Sequence, residues 1–433
     1  MKEAGRIISV GGGKGGVGKS LVSANLAVAF AQCGRRVVLV DADLGAPNLH
    51  TLLGVDRLPR TLDSLFNQEI CSLAEARLPT LVPNLELIAG SPAHPGAANL
   101  AHTQKLKLLR HVSALDADVV VVDVGAGTSF NALDVFNVAD LRLVVTTPQL
   151  TSVQNAYAFL KGAVHRLLRQ LAQGPEQLEL LGDGQGQDTA RMRGLLTRVR
   201  AESPGFARAI SALLDSMGVS LLGNQVVEAH ESSVAHSVSR MISDFLSVEA
   251  PVIGSLRASR KVHESVNNRR PWLLDPIRDP SMLALHAAAK VLLDVDVKAL
   301  RRARAEAEVL AELAAAPPRA EPLPVDLSPT QRRHARVPVE LNVKLSNGTL
   351  SCEGQVTELS RSGALVSTAE PLERGSRWTI SFSTLEGAPH LEVLVRSVRS
   401  GKALGGVEFA STESFPRVLD EALRRAEDAS AHP

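Results

Sequence analysis

The chain has 433 residues, which is enough for two or three domains. Its formal net charge is +1, so the overall electrostatics give no reason to expect binding to nucleic acid or to an anionic membrane. The three cysteines lie far apart, which argues against a disulfide framework and a cysteine-ligated metal site. No apolar run approaches the ~20 residues of a membrane-spanning helix, and the N-terminus lacks a signal-peptide pattern. These features predict a cytoplasmic protein.

Residues 1–295 alternate short β-branched runs with longer helical patterns, which predicts an α/β domain with a mostly parallel sheet flanked by helices. The first helix is predicted from Leu21 to Cys33, because apolar residues recur at helical spacing until Gly34. Residues 163–218 predict two or three helices around a polar loop, as an elaboration on this core. The predicted strands are Arg6–Val10, Arg36–Asp41, Leu85–Ile88, Asp118–Asp123, Leu141–Thr146, Ser220–Gln225 and Val252–Leu256.

A phosphate-binding pattern lies between the first predicted strand and the first predicted helix. Residues 13–20 match G-x-x-x-x-G-K-[ST], in which glycines let backbone N–H groups point at phosphate oxygens at a helix N-terminus. In this pattern Lys19 reaches the β- and γ-phosphates, and the Ser20 hydroxyl binds Mg²⁺. The sequence therefore predicts a P-loop NTPase with ATP and Mg²⁺ as cofactors. Contacts to ATP are predicted from Gly13, Gly15, Gly16, Val17, Gly18, Lys19 and Ser20.

Acidic residues end two of the predicted strands. Asp41 ends the second strand, and Asp43 comes two residues later. Asp123 ends a run of valines, which is the Walker-B arrangement that orients Mg²⁺. Because ligands bind at the carboxyl ends of parallel strands, we expect these carboxylates beside the P-loop. Gly125 follows and would allow a backbone N–H to approach the γ-phosphate.

Taken together, these motifs resemble the MinD/ParA ATPases, most closely the FlhG/FleN flagellar-number regulators. The resemblance covers about residues 5–290. It rests on the extra Lys14 of a deviant Walker A motif, on residues 40–45 and 123–127, and on residues 146–161. It implies an ATP-dependent homodimer in which Lys14 crosses to the partner's phosphates, with hydrolysis as a timer of dimerisation.

The same resemblance implies roles for individual residues. Asp43 would position the attacking water, so that Lys14, Lys19 and Asp43 form the catalytic set. Asp41 would help to hold the Mg²⁺ shell together with Ser20 and Asp123. Asn224, at the end of a late predicted strand, matches a position that contacts adenine in relatives.

The rest of the chain predicts a linker and a second domain. Residues 296–329 are the linker: a helix over Asp296–Ala314, interpreted as a spacer, is followed by five prolines between Ala315 and Pro329. Residues 330–428 predict a small antiparallel β-barrel that ends in a helix over Phe415–Glu427. Its predicted strands are Val337–Leu345, Gly363–Ser367, Arg377–Phe382, Glu392–Val398 and Gly405–Phe409.

This second domain resembles the PilZ domain, a receptor for cyclic di-GMP. The resemblance rests on an arginine segment over residues 332–336 and on the segment Glu358–Gly363. It implies cyclic di-GMP binding, because guanidinium groups grip phosphates and stack on guanine. Glu358 replaces the usual Asp or Asn, which leaves open a barrel retained for protein contacts alone. The residues implied to bind the dinucleotide are Arg332, Arg333, Arg336, Ser360 and Gly363.

These features favour an ATP-driven switch that positions or regulates a flagellum, a pilus or another polar structure, with an unknown activating or cargo protein. Three alternatives stay open. One is a DNA-bound partitioning ATPase, another is a non-catalytic scaffold, and the third is weak attachment of the helix Asp296–Ala314 to the inner face of the membrane. A cluster-carrying reductase is disfavoured by the missing cysteine pair. The basic residues that would touch DNA are Arg257, Arg260, Lys261, Arg269 and Arg270.

Overall fold

The structure is a computed structural model, and its residues fall into two compact units, Met1–Pro318 and Arg319–Pro433. The first unit is an α/β domain and the second is a β-barrel, which confirms the predicted fold class. None of the helices in the described part of the chain combines the length and the apolar character that crossing a bilayer requires. The described residues are 5–90, 100–182, 192–275, 279–315, 337–347, 350–360, 363–368, 372, 376–383, 390–398, 404–409, 419–421 and 424.

The first unit is built on one eight-stranded sheet in the order β3-β4-β2-β5-β1-β6-β7-β8. Neighbouring strands are parallel, except that β3 runs antiparallel to β4 at one edge. Each strand predicted from the sequence is present to within one residue at either end, and β3 is additional. The strands are β1 (Arg6–Gly11), β2 (Val37–Ala42), β3 (Arg77–Pro79), β4 (Leu85–Ile88), β5 (Val119–Val124), β6 (Leu141–Thr146), β7 (Val219–Val226) and β8 (Val252–Arg257).

Helices connect these strands and cover both faces of the sheet. The first helix begins at Lys19, two residues earlier than predicted, because the P-loop leads directly into it. The helices are α1 (Lys19–Gln32), α2 (Leu49–Leu52), α3 (Leu62–Phe66), α4 (His102–Ser113), α5 (Phe130–Asn137), α6 (Leu150–Leu171), α7 (Pro175–Leu181), α8 (Met192–Glu202), α9 (Pro204–Asp215), α10 (Ser232–Leu246), α11 (Arg260–Asn267), α12 (Pro280–Asp294) and α13 (Val297–Ala315).

Burial on both faces explains the apolar strands. In β1, Ile8 and Val10 pack on the face that carries α1 and α12, whereas Ile7 packs on the face that carries α4, α5 and α6. Successive side chains of a strand point to opposite faces of the sheet, and here helices cover both faces. The valine run of β5 therefore has no exposed position, and Val119 to Val122 are all buried.

The elaboration over residues 163–218 contains more helix than predicted. It holds the end of α6 and three further helices, α7, α8 and α9. Phe206 and Ile210 of α9 are fully buried and extend the core on the α6 face. The predicted polar loop lies outside the described residues after Gly182.

The helix interpreted as a spacer, α13, is packed against the first unit. Ala307 and Ala311 are fully buried, and the side-chain amide of Gln177 donates to the carbonyl of Ala311 at 3.0 Å. Leu300 and Leu310 also lie against buried side chains of this unit. The helix is therefore part of the compact first unit rather than a spacer. Val309 and Leu313 of the same helix remain exposed, so weak attachment to a membrane stays an open alternative.

The second unit is a closed barrel in the order β10-β11-β14-β13-β12-β9, with all neighbouring strands antiparallel. Its interior is filled by buried side chains such as Leu345, Ile380 and Phe382. The five predicted strands are present, and β10 is additional. The predicted final helix lies largely outside the described residues. The strands are β9 (Val337–Ser346), β10 (Ser351–Ser360), β11 (Gly363–Thr368), β12 (Arg377–Phe382), β13 (His390–Val398) and β14 (Leu404–Phe409).

Candidate nucleotide-binding site

The residues predicted to bind ATP and Mg²⁺ meet at the carboxyl ends of the central parallel strands. Strand β1 leads into the P-loop over residues 12–18, which ends at the first residue of α1. Its neighbour β5 carries Asp123, and Asp41 of β2 is the register partner of that residue. Gly125 follows β5, and Asn224 lies near the end of β7. The fold therefore gathers at one sheet edge the ATP-site residues that are far apart in the sequence.

The P-loop glycines are needed for two different reasons. A Cβ atom on Gly13 would lie 2.0 Å from the carbonyl oxygen of Asn155 in α6, so the loop rests directly on that helix. Gly16 and Gly18 have φ angles of 82° and 91°, which favour glycine. In contrast, a Cβ on Gly15 or Gly16 would meet nothing within 4 Å. The outer side of the loop is thus an open cradle, whereas its inner side is packed against α6.

Two side chains from β7 hold the loop in this shape. The amide nitrogen of Asn224 donates to the carbonyl of Val17 at 2.9 Å, and that of Gln225 donates to the carbonyl of Gly16 at 3.1 Å. Gln225 has a φ angle of 56°, an uncommon value for a residue other than glycine. The predicted contact of Asn224 with adenine stays a prediction, and the structure adds this clamping bond. No spacing pattern indicates this role of Gln225, because its partner Gly16 lies 209 positions earlier in the chain.

Asp123 has the features of a metal ligand. Its carboxylate is buried, and the hydroxyls of Ser23 (2.8 Å) and Ser20 donate to it. Its Oδ2 atom is buried without a hydrogen-bond partner among the described residues. Burial raises the pKa of Asp123 to about 6, although the serine hydrogen bonds and Lys19 oppose the shift. An unpaired carboxylate oxygen beside a serine hydroxyl fits Mg²⁺, which is bound by few side chains together with phosphate oxygens. When bound, Mg²⁺ would neutralise charge on the phosphates.

Lys19 lies at the base of the cradle. Its side chain is buried, and its ammonium group donates to the carbonyl of Lys14 at 3.4 Å. Burial lowers the pKa of Lys19, whereas the carboxylates of Asp123 and Asp43 act in the opposite direction. A buried cation that the P-loop backbone already orients can meet phosphate oxygens with little loss of side-chain freedom.

Asp41 and Asp43 organise the loop that follows β2. Asp41 accepts hydrogen bonds from the backbone N–H groups of Asn48 and Leu49 at 3.0 Å and of Asp43 at 3.3 Å. Burial, with the nearby Asp123 carboxylate, raises the pKa of Asp41 to about 8. Its role in the Mg²⁺ shell stays a prediction, and the structure shows that it also caps α2. Both carboxylate oxygens of Asp41 are therefore occupied by backbone donors.

The Asp43 carboxylate stands between the loop and the end of β5. Its Oδ1 accepts from the backbone N–H groups of Gly45 and Ala46, each at 3.1 Å. A Cβ atom on Gly125 would lie 3.0 Å from the same oxygen, so glycine makes room for the carboxylate. Asp43 is thereby oriented at the sheet edge that carries the P-loop. Its role as the group that positions water stays a prediction.

Lys14 is exposed at the rim of the cradle. Its ammonium group donates to the hydroxyl of Thr151, at the start of α6, at 3.3 Å. Within one chain this lysine therefore contacts its own α6. The predicted contact with a partner's phosphates requires that this single hydrogen bond be released.

The other predicted sites lie away from the P-loop or outside the described residues. Ser360 ends β10 and is buried, and its hydroxyl donates to the carbonyl of Gly363 at 3.0 Å. Arg332, Arg333 and Arg336 lie outside the described residues. Of the basic residues considered for DNA, Arg260 pairs with Glu264 and Arg269 with Asp56. The partly neutralised charge weakens the case for a DNA surface there, and it leaves Arg257, Lys261 and Arg270 as its remaining members.

The two units match different protein families. Residues 3–163 match the ParA family, described as NUBPL iron-transfer P-loop NTPase, and residues 330–421 match the PilZ domain. Residues 3–163 thus belong to the ParA/MinD family of P-loop NTPases, and residues 330–421 to the PilZ domain family. The ParA match includes the P-loop, both acidic strand ends and the start of α6, which form most of the candidate nucleotide site.

Individual relatives of this NTPase include flagellar proteins. The chain is 36% identical over 187 residues to the antiactivator FleN of Pseudomonas aeruginosa, across 40% of this chain and 64% of the relative. It is 31% identical over 170 residues to the flagellum site-determining protein YlxH of Helicobacter pylori, across 36% of this chain and 53% of the relative. The chain thus spans less than two thirds of these relatives. The cell division ATPase MinD of Pyrococcus furiosus is 21% identical with a TM-score of 0.47, over 67% of this chain and 98% of that one.

Proposed function

We propose that this NTPase hydrolyses ATP as a dimerising switch that positions or regulates a cellular machine, and that its PilZ domain supplies cyclic di-GMP input. The observation that carries the proposal is the convergence of Lys14, Lys19, Asp43 and Asp123 on one open phosphate cradle. Names of relatives refer to an antiactivator and to a flagellum site, which favours the flagellum among the candidate machines. The activating or cargo protein is not identified by these features.

Different residues of the chain carry out different parts of ATP hydrolysis. The P-loop amides and Lys19 bind the phosphates and stabilise the negative charge that develops on the transferred group. Asp43 accepts a hydrogen bond from the attacking water and orients it. Lys14 adds a second positive charge when it leaves Thr151 and reaches the phosphates of a partner chain. Hydrolysis then depends on dimerisation, which makes turnover a timer.

ATP turnover by the purified full-length chain tests the catalytic part. We expect slow Mg²⁺-dependent hydrolysis that Asp43→Ala lowers at least about a hundred-fold, because the water loses its orienting carboxylate. A matched control is Asp244→Ala, which removes an exposed carboxylate of α10 and should leave turnover unchanged. Undetectable turnover in the wild type would favour a scaffold, and equal turnover in both variants would remove Asp43 from the mechanism.

Binding of cyclic di-GMP tests the PilZ part. In a calorimetric titration we expect micromolar binding that Arg336→Ala weakens at least about ten-fold, because a guanidinium fork on a phosphate is a charge-assisted hydrogen bond. Arg302→Ala is the control, since Arg302 is exposed on α13. Absence of binding in the wild type would mean that Glu358 disables the pocket and that the barrel serves protein contacts.

A further inference from the structure

The C-terminal helix of the first unit, α13, makes polar contacts with the strand that leads into the P-loop. Arg301 binds Asp140 through two hydrogen bonds of 2.7 Å and also donates to the carbonyl of Gly5 at 2.7 Å. The same carboxylate accepts the backbone N–H of Ile7 at 2.8 Å. Because Gly5 and Ile7 flank the start of β1, α13 holds the beginning of the strand whose other end carries the P-loop.

A second arginine of α13 contacts the helix that follows Asp123. Arg304 donates to the carbonyl of Asn137, the last residue of α5, at 3.2 Å. Arg142 donates to the same carbonyl at 2.8 Å from its buried position on β6. Arg304 also lies 4.0 Å from Glu308 on its own helix, an exposed pair of little energetic weight. The α5 carbonyl is thus the main polar contact that links Arg304 to the core.

The last turn of α5 lies between α13 and the base of the P-loop. The Ser9 hydroxyl donates to the carbonyl of Phe136 at 2.8 Å, and a Cβ atom on Gly11 would lie 2.7 Å from the Phe136 ring. In the middle of α5, Asp134 is buried and paired with Lys105 of α4 and Arg166 of α6, which ties this short helix to both neighbours. The interior is close-packed, so a displacement of α13 against α5 is expected to change the packing of Phe136 on Gly11.

From these contacts we infer that Arg304 is a positioning residue for the ATP site, and that α13 is coupled to that site through α5 and β1. The inference rests on the proposed ATPase function. Arg304 touches no reacting group, and it acts by fixing where α5 and the P-loop base lie. Coupling between two sites is reciprocal, so ATP binding at the P-loop also changes the stability of α13. In the sequence, α13 directly precedes the segment that joins the first unit to the PilZ domain.

Hydrogen exchange and turnover of the full-length chain test this inference together. A non-hydrolysable ATP analogue with Mg²⁺ is expected to change exchange at amides of residues 297–315 as well as in the P-loop. Arg304→Ala is expected to abolish the change at α13 and to lower kcat about five-fold or more, with KM for ATP within about two-fold. Arg304→Lys retains a donor for the Asn137 carbonyl and is expected to restore part of kcat. Arg302→Ala, on an exposed position of the same helix, should match the wild type.

Two results would overturn the inference. One is protection of the P-loop by the analogue with no change at residues 297–315. The other is Arg304→Ala with the same kcat as Arg302→Ala. A wild-type chain in which the analogue does not protect even the P-loop would instead show that the proposed ATPase function has failed, and the role of Arg304 with it. Thermal melting of each variant separates loss of positioning from loss of folding. Partial unfolding would lower the concentration of active enzyme, but it would not selectively abolish the change in hydrogen exchange at α13.

Discussion

Replacing Asp123 by asparagine is expected to lower ATP turnover about a thousand-fold and, at the same time, to make the nucleotide-free protein more stable. The loss would follow from removal of the carboxylate that we propose as a ligand for Mg²⁺, an ion that contributes several kcal/mol to transition-state stabilisation. The gain follows because the wild-type carboxylate is buried with one oxygen unpaired. An asparagine Oδ1 can still accept from Ser23, and it carries no charge to desolvate. Steady-state turnover and thermal melting of the same samples measure both effects.

The stability gain should depend on pH in a definite way. Burial raises the pKa of Asp123 to about 6 in the folded protein, above its ordinary value of 3.8. Below about pH 4 the group is protonated whether the chain is folded or unfolded, so the variant gains nothing there. As the pH rises through the pKa of the folded state, the free energy of unfolding of the wild type falls by up to about 3 kcal/mol. The Asp123→Asn variant does not show this fall, because its side chain does not ionise. The pKa of Asp41 is also raised, to about 8, so the free energy of unfolding of the wild type is expected to keep falling until about that pH.

Asp118→Asn is the matched control at the other end of the same strand. Arg36 and its backbone N–H lower the pKa of Asp118, so this substitution should slightly reduce stability and leave turnover unchanged. If Asp123→Asn keeps turnover within ten-fold of the wild type, Asp123 does not serve as a metal ligand. If the variant melts below the wild type at pH 8, the unpaired oxygen is satisfied in solution and its burial is not costly.

Local patterns were sufficient to predict which residues the fold brings together at the candidate site, because these residues lie at the ends of regular elements. The P-loop, Asp41 and Asp123 each follow an apolar strand, and a parallel sheet brings such ends together whatever the loops do. The same logic did not extend to Ser23 or Gln225. Their hydroxyl and amide groups act on residues distant in the sequence, and no spacing rule reports such a contact.

The errors in the fold have equally specific causes. In α13 the deepest residues are Ala307 and Ala311, whose small side chains carry little hydrophobic signal. A helix whose contact surface is made of alanines shows little amphipathic pattern in the sequence, which favours its interpretation as a spacer within a linker. Strand β10 was missed because only Val356, Leu359 and Ser360 of its ten residues are buried. Strand β3 has three residues, including Pro79, and depends on pairing with β4.

Two glycine substitutions in the P-loop are both expected to impair ATP binding, but only Gly13→Ala is expected to lower the stability of the protein. Gly13→Ala places a methyl group 2.0 Å from the carbonyl oxygen of Asn155. The P-loop and α6 are packed backbone at this point and cannot rotate away as a side chain can. The loop must therefore move off α6, at a cost of about 3 kcal/mol or more. Gly15→Ala meets no atom within 4 Å, and stability should change by less than about 0.5 kcal/mol. Its methyl group instead takes up open space at the outer side of the loop, beside the place proposed for the phosphates.

Denaturant unfolding and titration with a fluorescent ATP analogue in the presence of Mg²⁺ separate these outcomes. Gly13→Ala should unfold at lower denaturant and bind the analogue at least about a hundred-fold more weakly, because its loop no longer presents the amides as a set. Gly15→Ala should unfold like the wild type and bind about ten-fold more weakly. Wild-type stability for Gly13→Ala would mean that the loop does not rest on α6 in solution. Wild-type affinity for Gly15→Ala would mean that the phosphates do not bind beside Gly15 at the outer side of the loop.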